Sequence, residues 1–128
     1  MFSLLLFGII QFGIIFNHYI ELANGVAAGA RTLAVARGST SAYTDTLAAI
    51  NSAAPNLNTF AAPVTGQSLT VVVAGTGCSS GNQAGACANA FTAGATAAVT
   101  GTYPCNLTIL WLNLGSCTMT SSSAQYIQ

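Results

Sequence analysis

Charge is almost absent from this 128-residue chain: it has two arginines, two carboxylates and one histidine, and its formal net charge is zero. It contains no lysine. Charged residues are 3% of the sequence, against roughly 25% in an ordinary globular domain. A neutral, lysine-free chain cannot hold nucleic acid by neutralising phosphates. It also lacks the repulsion that keeps copies of a protein apart in solution. Catalytic groups are equally scarce. His18, Glu21 and Asp45 are separated in sequence, and there is no G-x-S-x-G, Walker loop or zinc motif. The four cysteines form no C-x-x-C, which argues against zinc or haem ligation. No enzyme and no cofactor are expected. A basic run ahead of the first apolar segment is also missing, so that segment does not read as an intact secretory signal.

What is present is a long apolar beginning, with no proline or turn signal before Gly38. Met1 to Phe16 is apolar apart from Ser3 and Gln11. As a helix it is roughly 24 Å long, short of the roughly 30 Å of a bilayer core. Asn17, His18 and Glu21 come next, so the run does not extend cheaply. A core of neighbouring helices would accept the shorter length. The next stretch is built for close contact. Gly25 and Gly29 form a G-x-x-x-G, and Ala23, Ala27, Ala30 and Ala34 make a smooth strip. One face of this stretch is expected on the chain's own head and the other faces on neighbouring helices.

Glu21 needs a partner if buried, because an unpaired buried carboxylate costs several kcal/mol. Arg31 lies roughly 15 Å further along the axis and cannot reach it within one helix. Two readings stand: Glu21 pairs with Arg31 or Arg37 of a neighbouring helix, or all three face water. His18 reads as a helix-surface residue with a local hydrogen bond.

Gly38 is expected to end the helix, with Arg37 in the last turn. Residues 1–37 are thus a hydrophobic stalk for a filament core or a membrane, and residues 38–128 a disulfide-tied head. Ser39, Thr40 or Ser41 can cap a second helix with Asp45 near its first turn. It would run to about Ala54, ahead of Pro55, with Tyr43, Leu47 and Ile50 on one side. Gln67 to Ala74 reads as a strand, Gly77 to Gly94 as a long loop and Ala95 to Thr102 as a strand. Strand and loop compete from Asn106 to Leu112, and Ser116 to Ile127 suits a last antiparallel strand. The fold class is α+β: a long N-terminal hydrophobic helix, and a small head with a second helix and an antiparallel sheet.

Cys78, Cys87, Cys105 and Cys117 all lie in the head, which points to disulfides and an oxidising compartment. Of three pairings, Cys78–Cys87 with Cys105–Cys117 is favoured because each closes a short loop. Asn106-Leu107-Thr108 fits a glycan acceptor triplet. Trp111 reads as a packing residue of the head or shell.

The segment FGIIQFGIIFNHYIELANGVAAGARTLAVARG resembles the TadE-like family of pilin-like proteins of tight-adherence systems. Its first motif reads Gly8-Ile9-Ile10-Gln11-Phe12-Gly13 and its second Ala27-Ala28-Gly29-Ala30-Arg31. Thr102-Tyr103-Pro104 and the run from Thr118 to Ser123 resemble the family's closing strands. Gln11 stands where the first motif often has Glu, and the acidic residue expected near a mature N-terminus is absent. Met1 falls inside the usual apolar segment, so further residues are expected upstream.

The resemblance implies a type IV pilin-like role. Such a protein is made with a leader, cleaved by a prepilin peptidase, held in the inner membrane, then extracted into a helical filament. The expected function is a structural subunit of an extracellular pilus-like filament. The alternative is a membrane-anchored minor pilin or pilus assembly factor with an extracytoplasmic head. Expected partners are other copies of the chain, other pilins and the inner-membrane assembly machinery, with no nucleic acid. The assembly helix would use Phe7, Gly8, Gln11, Phe12, Gly13, Phe16, Glu21, Gly25, Gly29 and Arg31.

Overall fold

Helix α1 (Phe2–Ala34) runs for 33 residues, about 50 Å. The computed structural model describes residues 1–57, 65–109 and 112–128. Trp111 therefore lies outside the described residues.

The helix stops before Gly38. The Ala34 carbonyl accepts the backbone N–H of Gln128 at 3.3 Å, and the Ala36 N–H bonds to the Leu33 carbonyl at 3.1 Å. The chain thus leaves the helix where its own C-terminal end satisfies a last-turn carbonyl. Ala36 then turns inward and is buried. Gly38, at φ 84°, serves a turn closed by the Ser39 N–H on the Ala36 carbonyl at 2.9 Å.

Helix α2 (Ala42–Ala53) comes next and ends ahead of Pro55, whose ring disfavours a helical residue before it. Its buried residues are Ala42, Thr46 and Ile50, at i, i+4 and i+8. Tyr43 and Leu47, expected on the core face, are half-buried at its margin. The face is rotated because α2 lies against Gly25 and Gly29 of α1, where Ile50 comes closest and Thr46 follows. Thr46 meets its own polar need by donating its hydroxyl to the Ala42 carbonyl at 2.7 Å.

The sheet contains β1 (Ser68–Val73), β2 (Thr76–Cys78), β3 (Thr96–Ile109) and β4 (Leu112–Tyr126), in the antiparallel order β2-β1-β3-β4. Ala74 and Gly75 join β1 to β2 with φ 48° and 81°, the double positive φ of a tight hairpin turn. A short helix, α3 (Ala86–Ala90), lies after β2. The stretch Gly77 to Gly94, expected to be all loop, thus contains the end of β2 and all of α3. Strands β3 and β4 are also longer than expected, because each supplies the other's backbone partners as far as Ile109 and Leu112.

One face of the sheet is apolar and joins the core: Val71, Val73, Ala97, Val99, Cys105 and Met119 cluster with Leu22, Val26 and Leu33 of α1 and Ile50 of α2. The other face carries hydroxyls in register, with Ser68, Thr102 and Thr120 in one row and Thr70, Thr100 and Ser122 in the next. The architecture is α+β, with α1 as the spine of the core.

Candidate functional site on the apolar helix

Burial divides α1 into two parts that its bounds do not reveal. From Leu22 on, the helix is a core element: Leu22, Gly25, Val26, Gly29, Ala30, Leu33 and Ala34 are all buried. Before Leu22 none of its residues is buried. Every large apolar side chain from Met1 to Ile14 is exposed, as are Phe16, Tyr19 and Ile20. The most apolar 18-residue window of the helix has mean hydropathy 1.6 and is 0% buried. By length and composition, α1 as a whole is able to cross a membrane.

The expected assembly residues fall on both sides of this division. Phe7, Phe12 and Phe16 project from the exposed arm, Phe12 with 66% of its surface free. A Cβ at Gly8 or Gly13 would meet nothing within 4 Å, so the chain itself leaves those positions open. Gln11 is half-buried. Gly25 and Gly29, expected to bring neighbouring helices close, instead face α2. A Cβ at Gly25 would lie 3.2 Å from the Ala54 Cβ, and one at Gly29 2.6 Å from the Ile50 Cγ1. The motif does permit close backbone approach, but its partner is inside the same chain. Ala30 and Ala34 of the alanine strip are likewise buried in the head.

Glu21 sits at the junction of arm and head. Its Oε1 accepts from Asn17 Nδ2 at 3.4 Å and from Asn56 Nδ2 at 2.5 Å. Its Oε2 is buried and, among the described residues, has no hydrogen-bond partner. The chain's own Asn56 thus supplies Glu21 with a partner. Arg31 and Arg37 are exposed, and among the described residues neither makes an ion pair. His18 is fixed by an aromatic contact rather than a local hydrogen bond. Its ring meets Tyr103 edge-on, with centroids 5.9 Å apart.

Just below this junction an open apolar groove of about 500 Å³ is lined by Phe12, Gly13, Ile15, Phe16 and Tyr19 of α1 and by Met119 of β4. Asn56 carries no motif that would have marked it, and the closing-strand resemblance that covers Tyr103 and Met119 does not show that they meet α1. They matter because strand pairing and the α1–α2 turn bring them to the helix.

The head is tied by two disulfides. Cys78–Cys87 joins β2 to α3, with Cα atoms 5.3 Å apart. Cys105–Cys117 joins facing residues of β3 and β4, with Cα atoms 4.9 Å apart. The first encloses Gln83, whose Oε1 accepts from both the backbone N–H and the hydroxyl of Thr44, each at 3.1 Å. Thr44 is the third residue of α2, so Gln83 satisfies one of the helix's orphan donors. Ser41, the expected cap, donates its hydroxyl to the Asp45 carboxylate at 2.9 Å instead. Among the described residues no group of three or more His, Cys, Asp or Glu side chains could hold a metal ion.

No match is found among curated proteins or among solved structures. The family signal covers the arm and its junction with the head: residues 1–31 are similar to the family model described as TadE-like protein.

Proposed function

We propose that this protein is a structural subunit of an extracellular pilus-like filament. In this reading α1 sits in the inner membrane before assembly and in the filament core afterwards. The functional division falls near Glu21: the arm ahead of it assembles, and the helix beyond it holds the head together. The observation that carries the reading is the exposure of every large apolar side chain from Met1 to Ile14. Burying each contributes about 1.5–3 kcal/mol. Roughly ten of them outweigh the roughly 4–15 kcal/mol lost on association. A bilayer or a bundle of such arms provides the cover.

The match to the TadE-like model over residues 1–31 supports a pilus-associated role. The length of α1 favours a second reading. At 33 residues and about 50 Å it is long enough for the roughly 30 Å of a bilayer core, as a membrane-anchored minor pilin or assembly factor requires. Electron microscopy of the purified full chain separates the two. Filaments that disappear in Phe12→Asp support the subunit. Detergent-bound monomers that never polymerise support the anchored factor.

A further inference from the structure

We propose that the apolar groove seats the leading segment of a second copy's arm, Phe2–Phe7, and so sets the axial step between neighbouring subunits. This rests on the filament reading above. The groove has walls on two elements, with Phe12, Phe16 and Tyr19 of α1 on one side and Met119 of β4 on the other. A filament holds no bilayer, so about 500 Å³ of apolar-walled space there calls for an apolar guest. Among the described residues, the exposed large apolar side chains outside the arm are Val35, Leu112 and Tyr126, far apart in sequence. The arm is the continuous apolar surface. As part of a single helix, it does not fold back into its own groove, so a second copy supplies the guest.

Burial selects which part of the arm enters. Gly8, Gln11, Ile15 and His18 are the arm's half-buried positions. Spaced by three and four, they continue the buried stripe of Leu22, Val26, Gly29 and Leu33. The head lies along this face: Ile15 packs against the core and His18 meets Tyr103. A guest entering by its later residues would bring its own sheet against the host's β4. Met1 to Phe7 are all exposed, so that stretch enters bare. Phe2, Leu5 and Leu6, at i, i+3 and i+4, share one face of it. Neither this segment nor the groove wall carries a charged side chain, so docking desolvates no ion. Gly13 lines the groove, and a Cβ there would meet nothing within 4 Å. The guest helix can therefore approach closely.

Segment and groove lie at different heights on the same helix. The middle of Phe2–Phe7 precedes the middle of Phe12–Tyr19 by about eleven residues, roughly 16 Å of helix. With all arms parallel, each copy stands roughly 16 Å along the axis from the one whose groove it fills. Such a head-to-tail contact leaves one segment and one groove free at every stage. Its axial step prevents closure into a ring, so it propagates as a filament.

Photocrosslinking tests the contact. One full-chain preparation carries Tyr19→benzoylphenylalanine and another Phe2→benzoylphenylalanine. Both positions are exposed, so the head is left intact. Filaments are irradiated, dissolved and run on a denaturing gel, and the dimer band is mapped by mass spectrometry. The expected dimers join the Tyr19 site to Phe2–Phe7, and the Phe2 site to Phe12–Tyr19 or Met119. Filaments whose dimers join other segments, or that give no dimer from either site, overturn the proposal and leave the filament reading standing. An unmodified chain that never forms filaments overturns both.

Discussion

A Cβ on Gly29 would stand 2.6 Å from Cγ1 and 2.8 Å from Cδ1 of Ile50. Helices α1 and α2 therefore meet where one has no side chain and the other has a large one. Contact at Gly25 is looser, 3.3 Å from the Ile50 Cγ2. Alanine favours a helix over glycine by about 1 kcal/mol, while overpacking a core costs about 1–3 kcal/mol. Gly29→Ala should thus lose about 1 kcal/mol net and lower the melting temperature. Gly25→Ala should fall within about 1 kcal/mol of wild type. Gly25→Leu should separate the two helices and unfold the head. Thermal melts of the full chain in detergent, followed by circular dichroism, check all three.

Gln83 caps a helix that begins about forty residues before it. Gln83→Ala should cost about 1 kcal/mol, the usual value of an N-terminal cap. Ser41→Ala should cost less, because the Ser41 hydroxyl serves the exposed Asp45 carboxylate and no helix N–H. Chemical denaturation of the two variants side by side gives the comparison.

The disulfides should contribute unequally. Each closes a short loop, with sequence separations of 9 and 12, for which a chain-entropy estimate is about 2–3 kcal/mol. Cys105–Cys117 links strands that already pair on both sides of it, so its loss should fall at the low end. Loss of Cys78–Cys87 also frees the loop bearing Gln83. Removing this bridge together with Gln83 should therefore cost less than the sum of the two single losses. A double-mutant cycle measured by denaturation tests the coupling.

Assembly should ignore salt. The candidate assembly arm, Met1 to Ile20, has no charged side chain, and the chain's net charge is zero. Screening, which weakens exposed charge pairs within about 10 Å at 0.1 M, has little to act on. Filaments should survive molar sodium chloride and dissolve in detergent. Arg31→Ala should assemble normally, since the exposed Arg31 makes no ion pair among the described residues. Glu21→Ala should instead lose about 1–2 kcal/mol of head stability, because Glu21 accepts from Asn56. Sedimentation across a salt series, with melts of the Glu21 variant, covers these outcomes.

The sequence shows the long helix plainly, because a run of apolar residues without proline has few other options. It shows the first strand through Val71-Val72-Val73, and the cysteine pairs through their spacing. It does not show that α1 ends at Ala34, because the backbone donor for that carbonyl arrives from Gln128 at the other end of the chain. Nor does it show β2. The turn before it is Ala74-Gly75, and alanine at φ 48° is not a usual turn signal. The G-x-x-x-G announces a close contact but does not name the partner. Its direction is decided by Ile50 and Ala54, which only the fold brings to it. Glu21 is similar: its need for a partner is legible, while Asn56, 35 residues away, is not.

The central claim is that the exposed arm drives assembly independently of the head. Electron microscopy of the purified full chain and of Phe12→Asp, paired with thermal melts of both, tests it most directly. Phe12 is 66% exposed, so its replacement leaves the core untouched. Filaments from the wild type, none from Phe12→Asp, and matching melts for the two heads are the predicted result. Normal filaments from Phe12→Asp would contradict the account.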